Sequence, residues 1–417
     1  MRDTDLYGQI LGIKSPWFVD NVELKIAEGQ VDIHLAHQPG VLWACPECGK
    51  ELTCRDHAEE RTWRHLDTCQ LKTFLHARIP RVACPEHGVA QVSIPWAEPR
   101  GRFTLLMERL IIDVIKECST VTGACRLLDL SWDEAFGVMQ RSVRRGLSRK
   151  QSRKVSYIGV DEKAFKKGHN YMTVVCDLMR GTVEHVAEER KAESLEEYYR
   201  TLSADQLSAI KAVAMDMWPA YFQATRKWVP EAMRKIVFDR FHIMRHVLEA
   251  VNTVRKREHR GLLEHGDTTL ARSKYLWLYS AENVPQRARE HFDRLKGLQL
   301  KTARAWALKE SLRELWDCHS LGWARQFWKR WYFWATHSRL GPMIAAAKLI
   351  ARHLPNVLTY FAHRITNAVA EGLNSKIATV QKRACGFRNR DHFKIAVYFH
   401  CGGLNLYPTS ATHRKAG

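Results

Sequence analysis

The apolar and polar positions change period along the chain. From Phe103 to Cys118 apolar residues recur at Leu105, Leu106, Met107, Leu110, Ile111, Val114 and Ile115, a helical spacing. A second short helix is predicted over Val121–Leu128. Ser131-Trp132-Asp133-Glu134 matches a capping box and opens a third helix that runs to about Arg145. Two short helices around a tight turn at Asp129–Leu130 suggest a helix-turn-helix. The period then shortens to that of strands. Tyr157–Asp161, Tyr171–Asp177 and Thr182–Ala187, separated by turns at Lys167-Gly168-His169-Asn170 and Arg180-Gly181, form a predicted antiparallel meander. A helix over Ser194–Leu202, a strand Ala212–Met215, a helix entered at Pro219 and a strand Ile236–Phe238 follow. Three meander strands, then helix–strand–helix–strand, is the ribonuclease-H-like order. From Phe241 the period is helical again, with a first helix to Arg257. Six of the fourteen tryptophans fall between Trp306 and Trp334. Their rings go round the helix, which predicts a buried core helix. Stacking of one or two rings on unpaired bases, beside Lys329 and Arg330, is the alternative.

The predicted sheet selects among the acids. Its first and fourth strands are neighbours, so Asp161 and Asp216 at their ends can come within reach of one metal ion. Asp239 is one strand further out and Asp177 lies down the meander. Strand alternation sends Glu162 to the other face. Two carboxylates are incomplete for phosphoryl transfer with Mg²⁺, because hard cations take several oxygens and in-line displacement benefits from two ions about 3.5–4 Å apart. A helix over Thr366–Gln381 places Arg364, Asn367, Glu371, Asn374 and Lys382 along one stripe. Glu371 is therefore the expected third acid, with a solvated face as the plain alternative. Three crowded carboxylates resist ionisation without a cation, so two Mg²⁺ (or Mn²⁺) ions are expected there. No G-x-x-x-x-G-K-[ST] loop occurs, which disfavours nucleotide hydrolysis.

A second metal is signalled near the N-terminus. Cys45-Pro46-Glu47-Cys48-Gly49 recurs as Cys84-Pro85-Glu86-His87-Gly88. Each is a turn with two ligands three apart, closed by Gly. Together they offer Cys45, Cys48, Cys84 and His87 to one tetrahedral Zn²⁺, with no position left open for chemistry. Short strands such as Gln70–Arg78 would bring the turns together. Cys54, His57, His65 and Cys69 are rivals, better explained as packing or surface residues. The eleven cysteines, an odd number with no export signal ahead of them, do not suggest a disulfide framework.

Charge identifies the partner. The formal net charge is +20, a polyanion signal with nucleic acid the first candidate. Residues 1–155 hold 22 basic and 20 acidic side chains, and residues 156–240 hold 13 of each. Residues 241–370 hold 22 and 10, and residues 371–417 hold 8 and 2. A neutral, acid-bearing segment within a basic chain suits an enzyme acting on a polyanion. Arg141, Arg144, Arg145, Arg149, Lys150, Arg153 and Lys154 follow the helix-turn-helix without one acid, and a neck tracking phosphates is expected. Lys382, Arg383 and Arg388, with Asn367 and Asn374, are further candidate DNA contacts. No apolar run approaches a membrane span of roughly 18–20 residues, so a cytoplasmic, nucleoid-associated protein is expected. The tail Tyr407–Gly417 is polar and is expected to fray.

With these residues in hand, the chain resembles a DDE transposase of bacterial insertion sequences, of the ISL-three family. The matching segments are Cys45–Gly49, Arg64-His65-Leu66-Asp67, Cys84–Gly88, Gly159-Val160-Asp161-Glu162, Ala214-Met215-Asp216-Met217 and Val237-Phe238-Asp239-Arg240-Phe241-His242. Asn367 to Asn374 with Ala370-Glu371-Gly372-Leu373, and Gly386-Phe387-Arg388-Asn389, complete the series. His87 departs from the family pattern, which more usually has a fourth Cys.

The resemblance implies a multidomain α/β protein: an N-terminal zinc ribbon, a helix-turn-helix that binds terminal inverted repeats, and a ribonuclease-H-like catalytic domain interrupted by an all-α insertion. The corresponding expected segments are 1–100, 101–154, 155–244, 245–358 and 359–417. It implies the triad Asp161, Asp216 and Glu371, with Asp239 as runner-up for the second acid. The expected activity is hydrolysis at the element ends that frees a 3′-hydroxyl, then attack of that hydroxyl on target DNA, in a homodimer or larger assembly. A catalytically inactive DNA-binding regulator derived from a transposase and a structure-specific nuclease of the same fold are the alternatives.

Overall fold

A computed structural model of the protein describes residues 2–166 and 170–409. The expected turn at Lys167-Gly168-His169 and the tail beyond Thr409 lie outside the described residues. The chain divides into two compact units, Met1–Gln151 with Val380–Gly417, and Ser152–Thr379.

The first unit opens with α1 (Asp3–Leu11) and a six-stranded sheet: β1 (Trp17–Lys25), β2 (Gln30–His37), β3 (Leu42–Ala44), β4 (Glu51–Arg64), β5 (Lys72–Cys84) and β6 (Gly88–Gln91). The order is β1-β2-β5-β4-β3, with β6 paired to β5. Only β2 and β5 run parallel. The ribbon is longer than the segment Gln70–Arg78 suggests. Through most of its length β4 alternates half-buried and exposed positions, with Leu52, Cys54 and Ala58 on the half-buried side but Asp56 among them and polar residues over Glu59–Thr62, so its hydrophobic period is weak. Trp17, Trp43, Trp63 and Trp96 form the core of this sheet, with Trp17 edge-on to Trp96 at 4.8 Å.

Three helices follow: α2 (Leu105–Cys118), α3 (Val121–Leu128) and α4 (Trp132–Ser148). Thr104 caps α2 and Thr120 caps α3 through the amides of Met107 and Gly123. The capping box of Ser131 and Glu134 forms at the start of α4. Asp129 makes the turn between α3 and α4 in the left-handed region, at φ 49°. Phe103, Ile111, Ile112, Ile115, Val138 and Met139 are the core of this bundle.

The second unit carries β7 (Tyr157–Lys166), β8 (Asn170–Asp177), β9 (Thr182–Glu188), α5 (Ala192–Arg200), α6 (Ala204–Ala209), β10 (Ala212–Met215), α7 (Pro219–Trp228), α8 (Ala232–Lys235) and β11 (Ile236–Phe238). Its sheet order is β11-β10-β7-β8-β9. The meander β7–β8–β9 is antiparallel, and β10 runs parallel to both β7 and β11. The first and fourth strands are thus neighbours. Every residue of β10 and β11 is buried, as continuous apolar strands covered on both faces should be.

Eight helices succeed β11: α9 (Arg240–Leu263), α10 (Lys274–Leu278), α11 (Arg289–Gly297), α12 (Lys301–Arg313), α13 (Leu321–His337), α14 (Gly341–Arg352), α15 (Leu354–Leu358) and α16 (Tyr360–His363). They share one core with the sheet, through Val247, Val251, Trp277, Leu308 and Ile350 among others. The expectation of a buried tryptophan helix holds for one face of α13 only. Trp328 and Trp331 are buried, but Trp323 is 62% exposed, Phe333 63% and Trp334 44%. The chain ends with α17 (Ala368–Arg383) and α18 (Arg390–Cys401). No described helix is long and apolar enough to cross a membrane.

Candidate metal centre and acid site

The two Cys-Pro turns sit side by side at one end of the ribbon, where the start of β4 adjoins the end of β5. Cys45 follows β3, Cys84 ends β5, and β4 pairs with both of those strands. Gly49 and Gly88 adopt φ 75° and 72°, a left-handed conformation open to Gly at little cost. The ligand atoms of Cys45, Cys48, Cys84 and His87 all lie within 4.8 Å of one another. Cys48 Sγ is 3.7 Å from Cys84 Sγ, and His87 Nδ1 is 3.5 Å from Cys84 Sγ. A tetrahedron with Zn–S near 2.3 Å and Zn–N near 2.0–2.1 Å has edges of roughly 3.8 Å and 3.5 Å, so the donor set fits Zn²⁺. The amides of Glu86 and His87 hold the Cys84 thiol below its usual range, which favours the thiolate a metal needs.

The rival ligands are placed elsewhere. His65 is buried and bonded to Thr104 Oγ1 at 2.8 Å, and burial pushes it down to about 4. His57 Nε2 contacts His37 Nε2 at 2.8 Å. Cys54 donates to Asp56 O, and Cys69 is exposed.

Asp216 and Asp239 lie just past the ends of β10 and β11, whereas Asp161 is in the middle of β7, which stays paired with β8 for five residues beyond the end expected at Asp161. Register pairs Ala214 with Gly159, so Asp216 and Asp161 each lie two residues beyond a paired position. Asp161 Oδ1 accepts from the Glu162 amide at 2.8 Å and Asp216 Oδ1 from the Met217 amide at 2.6 Å. Asp239, just past β11, is 4% exposed. Its Oδ1 accepts from the Asn367 amide at 3.4 Å, and its Oδ2 approaches His242 Nδ1 to 3.4 Å without an aligned hydrogen bond.

Helix α17 supplies the rest. Asn367, Glu371 and Asn374 recur at i, i+4 and i+7, on one face. Asn374 Nδ2 donates to Asp161 Oδ2 at 2.7 Å. The Asn367 side chain is fully buried against β7, where a methyl group on Gly159 would fall 2.8 Å from its Oδ1. Gly159 is what lets α17 approach the strand. Arg364 is not on this stripe. It ends α16 at φ 52° and donates to the carbonyls of Cys318 and His319.

Electrostatics link these groups. Burial raises the Glu371 carboxyl, and the charges of Asp239 and then Asp161 add to it. Burial likewise raises Asp161. Burial opposes the charged form of His242, but Asp239 beside it and the fields of Asp216 and Asp161 outweigh that and hold it up at about 9. Glu162 turns away to Arg190 at 2.7 Å, yet it is raised by burial and by Asp216 despite Arg190. Asp177 pairs with Arg153 at 3.3 Å. His242 was not among the expected site residues. Its signal was the Asp-x-x-His spacing, which sets both side chains on one side of the first turn of α9.

The basic candidates separate. Arg144 is exposed on α4, and Arg141 reaches Glu108 at 3.3 Å. Arg145, expected to face DNA, is buried: it pairs with Glu98 at 2.6 Å and Glu108 at 2.5 Å and donates to Leu406 O. It sits on the face of α4 that carries Val138, Met139 and Ser142 into the core, so its charge is spent inside the unit. Arg149 donates to Tyr407 O at 2.6 Å, and Lys150 lies half-buried just past the helix. Asn367 and Asn374 are turned to the acid site. Lys382 and Arg383 are in the last turn of α17. Arg383 and Arg388 line a cleft of about 710 Å³ with Trp132, Phe136 and His392.

Comparison with known proteins finds three matches in chain order. A zinc-finger family of transposases IS204/IS1001/IS1096/IS1165 matches residues 42–87. A helix-turn-helix domain of transposase family ISL3 matches residues 92–143. The DDE transposase family of the same group matches residues 158–397. The chain is 25% identical over 359 residues to the transposase for insertion sequence element IS1001 of Bordetella parapertussis, covering 85% of this chain and 87% of that protein. It is 26% identical over 425 residues to the transposase for insertion sequence element IS1557 of Mycobacterium tuberculosis strain CDC 1551 / Oshkosh, covering 93% of each.

Proposed function

This chain belongs to transposase family ISL3, and from that premise we propose that it cuts the ends of an insertion sequence and joins them to target DNA at a site built from Asp161, Asp216 and Glu371. The placement of Asp161 and Glu371, both raised chiefly by burial, beside His242, which is held up at about 9, carries this reading. The ribonuclease-H-like description of the domain rests on the sheet order β11-β10-β7-β8-β9. The chemistry of the donor set suits hard cations, since these are partly buried carboxylate oxygens and Oδ2 of Asp239 has no aligned hydrogen-bond donor. Among the described residues, however, no three of the acids bring ligand atoms within 4.8 Å of one another as the zinc ligands do. Two Mg²⁺ or Mn²⁺ ions, when bound, supply positive charge to the attacking and leaving oxygens on phosphorus.

The chain's own residues set the geometry. Asn374 and the Glu162 amide each occupy one oxygen of Asp161 and fix its carboxylate plane. The packing of Asn367 at Gly159 fixes the position of α17, and with it Glu371. Protonated His242 balances the carboxylates between cycles. The helix-turn-helix holds the terminal inverted repeats, with Arg144 the exposed cation of α4, and a homodimer handles both ends together.

A second reading has a specific observation behind it. Glu371 feels Asp239 more than any other charge, so Asp239 is a candidate fourth carboxylate, or a replacement for Asp216. The deciding experiment is cleavage of labelled duplexes carrying the inverted repeats that flank the coding sequence, with and without Mg²⁺. Asp161→Ala and Glu371→Gln abolish cutting while end binding stays. Asp161→Ala that cuts normally with binding unchanged refutes the site. Asp216→Asn and Asp239→Asn then assign the second acid: the one whose loss abolishes cutting holds the position.

A further inference from the structure

The exposed face of α13 is the feature least explained by folding. Trp328 and Trp331 anchor the helix inward, and Trp331 Nε1 donates to Leu308 O at 2.9 Å. Three more large aromatic rings, Trp323, Phe333 and Trp334, stand in solvent. Leaving such side chains in water forgoes roughly 1.5–3 kcal/mol each of the burial they could have, and an exposed patch of them marks a binding surface. Their spacing is ordered. Trp323, Arg330 and Trp334 recur at i, i+7 and i+11, along one edge of the helix, over about 16 Å at 1.5 Å per residue. Phe333 lies beside this edge, stacked on His337 at 3.9 Å. Arg325, Lys329 and Arg330 are exposed with them. The helix contains no acid, and no carboxylate pairs with those three cations among the described residues.

Its start is tied to the acid site. The loop entering α13 accepts two hydrogen bonds from Arg364, at Cys318 O and His319 O, and Arg364 precedes Asn367 by three residues. Trp316, five residues before α13, lies under the guanidinium of Arg240 at 5.2 Å, and Arg240 adjoins Asp239. The segment leading into α13 is therefore tied to Arg364 and Arg240, which neighbour Asn367 and Asp239 in the chain.

We propose that this face is a stacking platform for the unpaired bases of a DNA strand leaving the acid site, with Trp323 and Trp334 as the rings and Arg330 and Lys329 on the phosphates. The assignment of that strand rests on the transposase reading above. Flat π faces alternating with cations match single-stranded nucleic acid, whose bases stack while its backbone is neutralised. A second copy of this chain fits less well, because a two-fold contact would set each copy's cations against the same cations of its partner.

The test uses the full-length protein without Mg²⁺, so it is independent of cutting. Binding of fluorescein-labelled oligo(dT) and of a duplex of the same length is followed by anisotropy for wild type, the Trp323→Ala/Trp334→Ala double variant and the Trp323→Phe/Trp334→Phe variant. Both rings reach the surface, at 62% and 44% exposure, and the melting temperature verifies folding of each variant. The expected result is weakening of oligo(dT) binding by about fivefold or more per ring lost, from stacking of roughly 1–3 kcal/mol per base. Duplex binding is unchanged and the Phe variant recovers most of the loss. Oligo(dT) carrying 5-iododeoxyuridine should crosslink to α13 peptides on irradiation. Unchanged affinity, or crosslinks that map only elsewhere, overturns the platform. A double variant that shifts sedimentation from dimer to monomer with oligo(dT) affinity intact assigns the face to a second copy and overturns it equally. None of these results bears on the acid site, which stands or falls with Asp161→Ala.

Discussion

The two candidate metal centres are assembled by opposite means. The zinc ligands come from one five-residue turn used twice on adjoining strands of a single ribbon, with Gly49 and Gly88 closing both turns. Local backbone positions them, and the amides of Glu86 and His87 already favour the charged form of Cys84. The acid site draws on the middle of β7, the ends of β10 and β11 and a helix more than two hundred residues along the chain, and its surroundings oppose the charged forms of Asp161 and Glu371. A turn-built centre incorporates its metal into folding. A packing-built centre holds repelling charges in place and depends on the rest of the unit to keep them there.

Removing zinc should have the largest effect. Structural zinc contributes apparent binding energies of about 10–16 kcal/mol in finger peptides, so Cys48→Ser or a chelator should abolish hydrogen-exchange protection around Trp43–Gly49 and Cys84–Gln91. The protection of β7 and β10 should be unaffected. Zinc-free protein with the ribbon still protected would remove the metal from the fold. Next comes the charge inside the helical bundle. Arg145→Met removes the closer of the two cations on buried Glu108, leaving Arg141 at 3.3 Å, and should cost up to about 3–5 kcal/mol in urea unfolding, whereas Arg144→Ala on the exposed face should stay within about 0.5 kcal/mol. Equal stabilities, with only DNA binding lost in both, would return Arg145 to the DNA side. Gly159→Ala probes the packing-built site directly. Its methyl would meet Leu178 Cδ2 at 2.7 Å and both Cys176 Sγ and Asn367 Oδ1 at 2.8 Å. The expected cost is about 1–3 kcal/mol, with Mg²⁺-dependent cutting falling further than stability does because α17 is displaced.

The same contrast explains what could be read from the sequence. The zinc ligands were legible as a repeated motif, and β10, β11 and α3 were legible to the residue, because short apolar runs or caps bound them. Asp216 and Glu371 read as residue types at plausible places, and Asp161 does too, although β7 runs past it to Lys166. Their neighbours were not legible. Asn374 and Asn367 look like DNA contacts on a polar stripe. One fixes Asp161 and the other is buried at Gly159, and only the docking of α17 on β7 distinguishes those roles. Arg145 reads as one cation in a basic run, but its position on the inward face of α4 follows helical periodicity and could have been weighed against charge. For α13 the count of tryptophans favours a core. The division into an inward pair and an outward three depends on the angle at which the helix docks.

The smallest effect concerns the sign of the acid site's contribution to stability. Glu371 has its carboxyl raised by burial and by Asp239 and Asp161, so the folded protein holds that proton more tightly than the unfolded chain. Stability then falls as pH climbs above the unfolded carboxyl value near 4.3 and through the higher folded one. Glu371→Gln removes that loss. Without metal the variant should melt above wild type at pH 7, with the difference closing below about pH 4. His242 acts in the other direction. Its value near 9 in the metal-free protein means that its stabilisation is complete below about 6.5 and is lost as pH rises through 9. His242→Gln should flatten that alkaline slope and leave the acid limb alone. Adding Mg²⁺ should reverse the order of wild type and Glu371→Gln at pH 7, since only wild type retains the carboxylate proposed as the third metal ligand. A Glu371→Gln protein that melts below wild type without metal would show Glu371 held by structural contacts, and would make the acid site resemble the zinc knuckle.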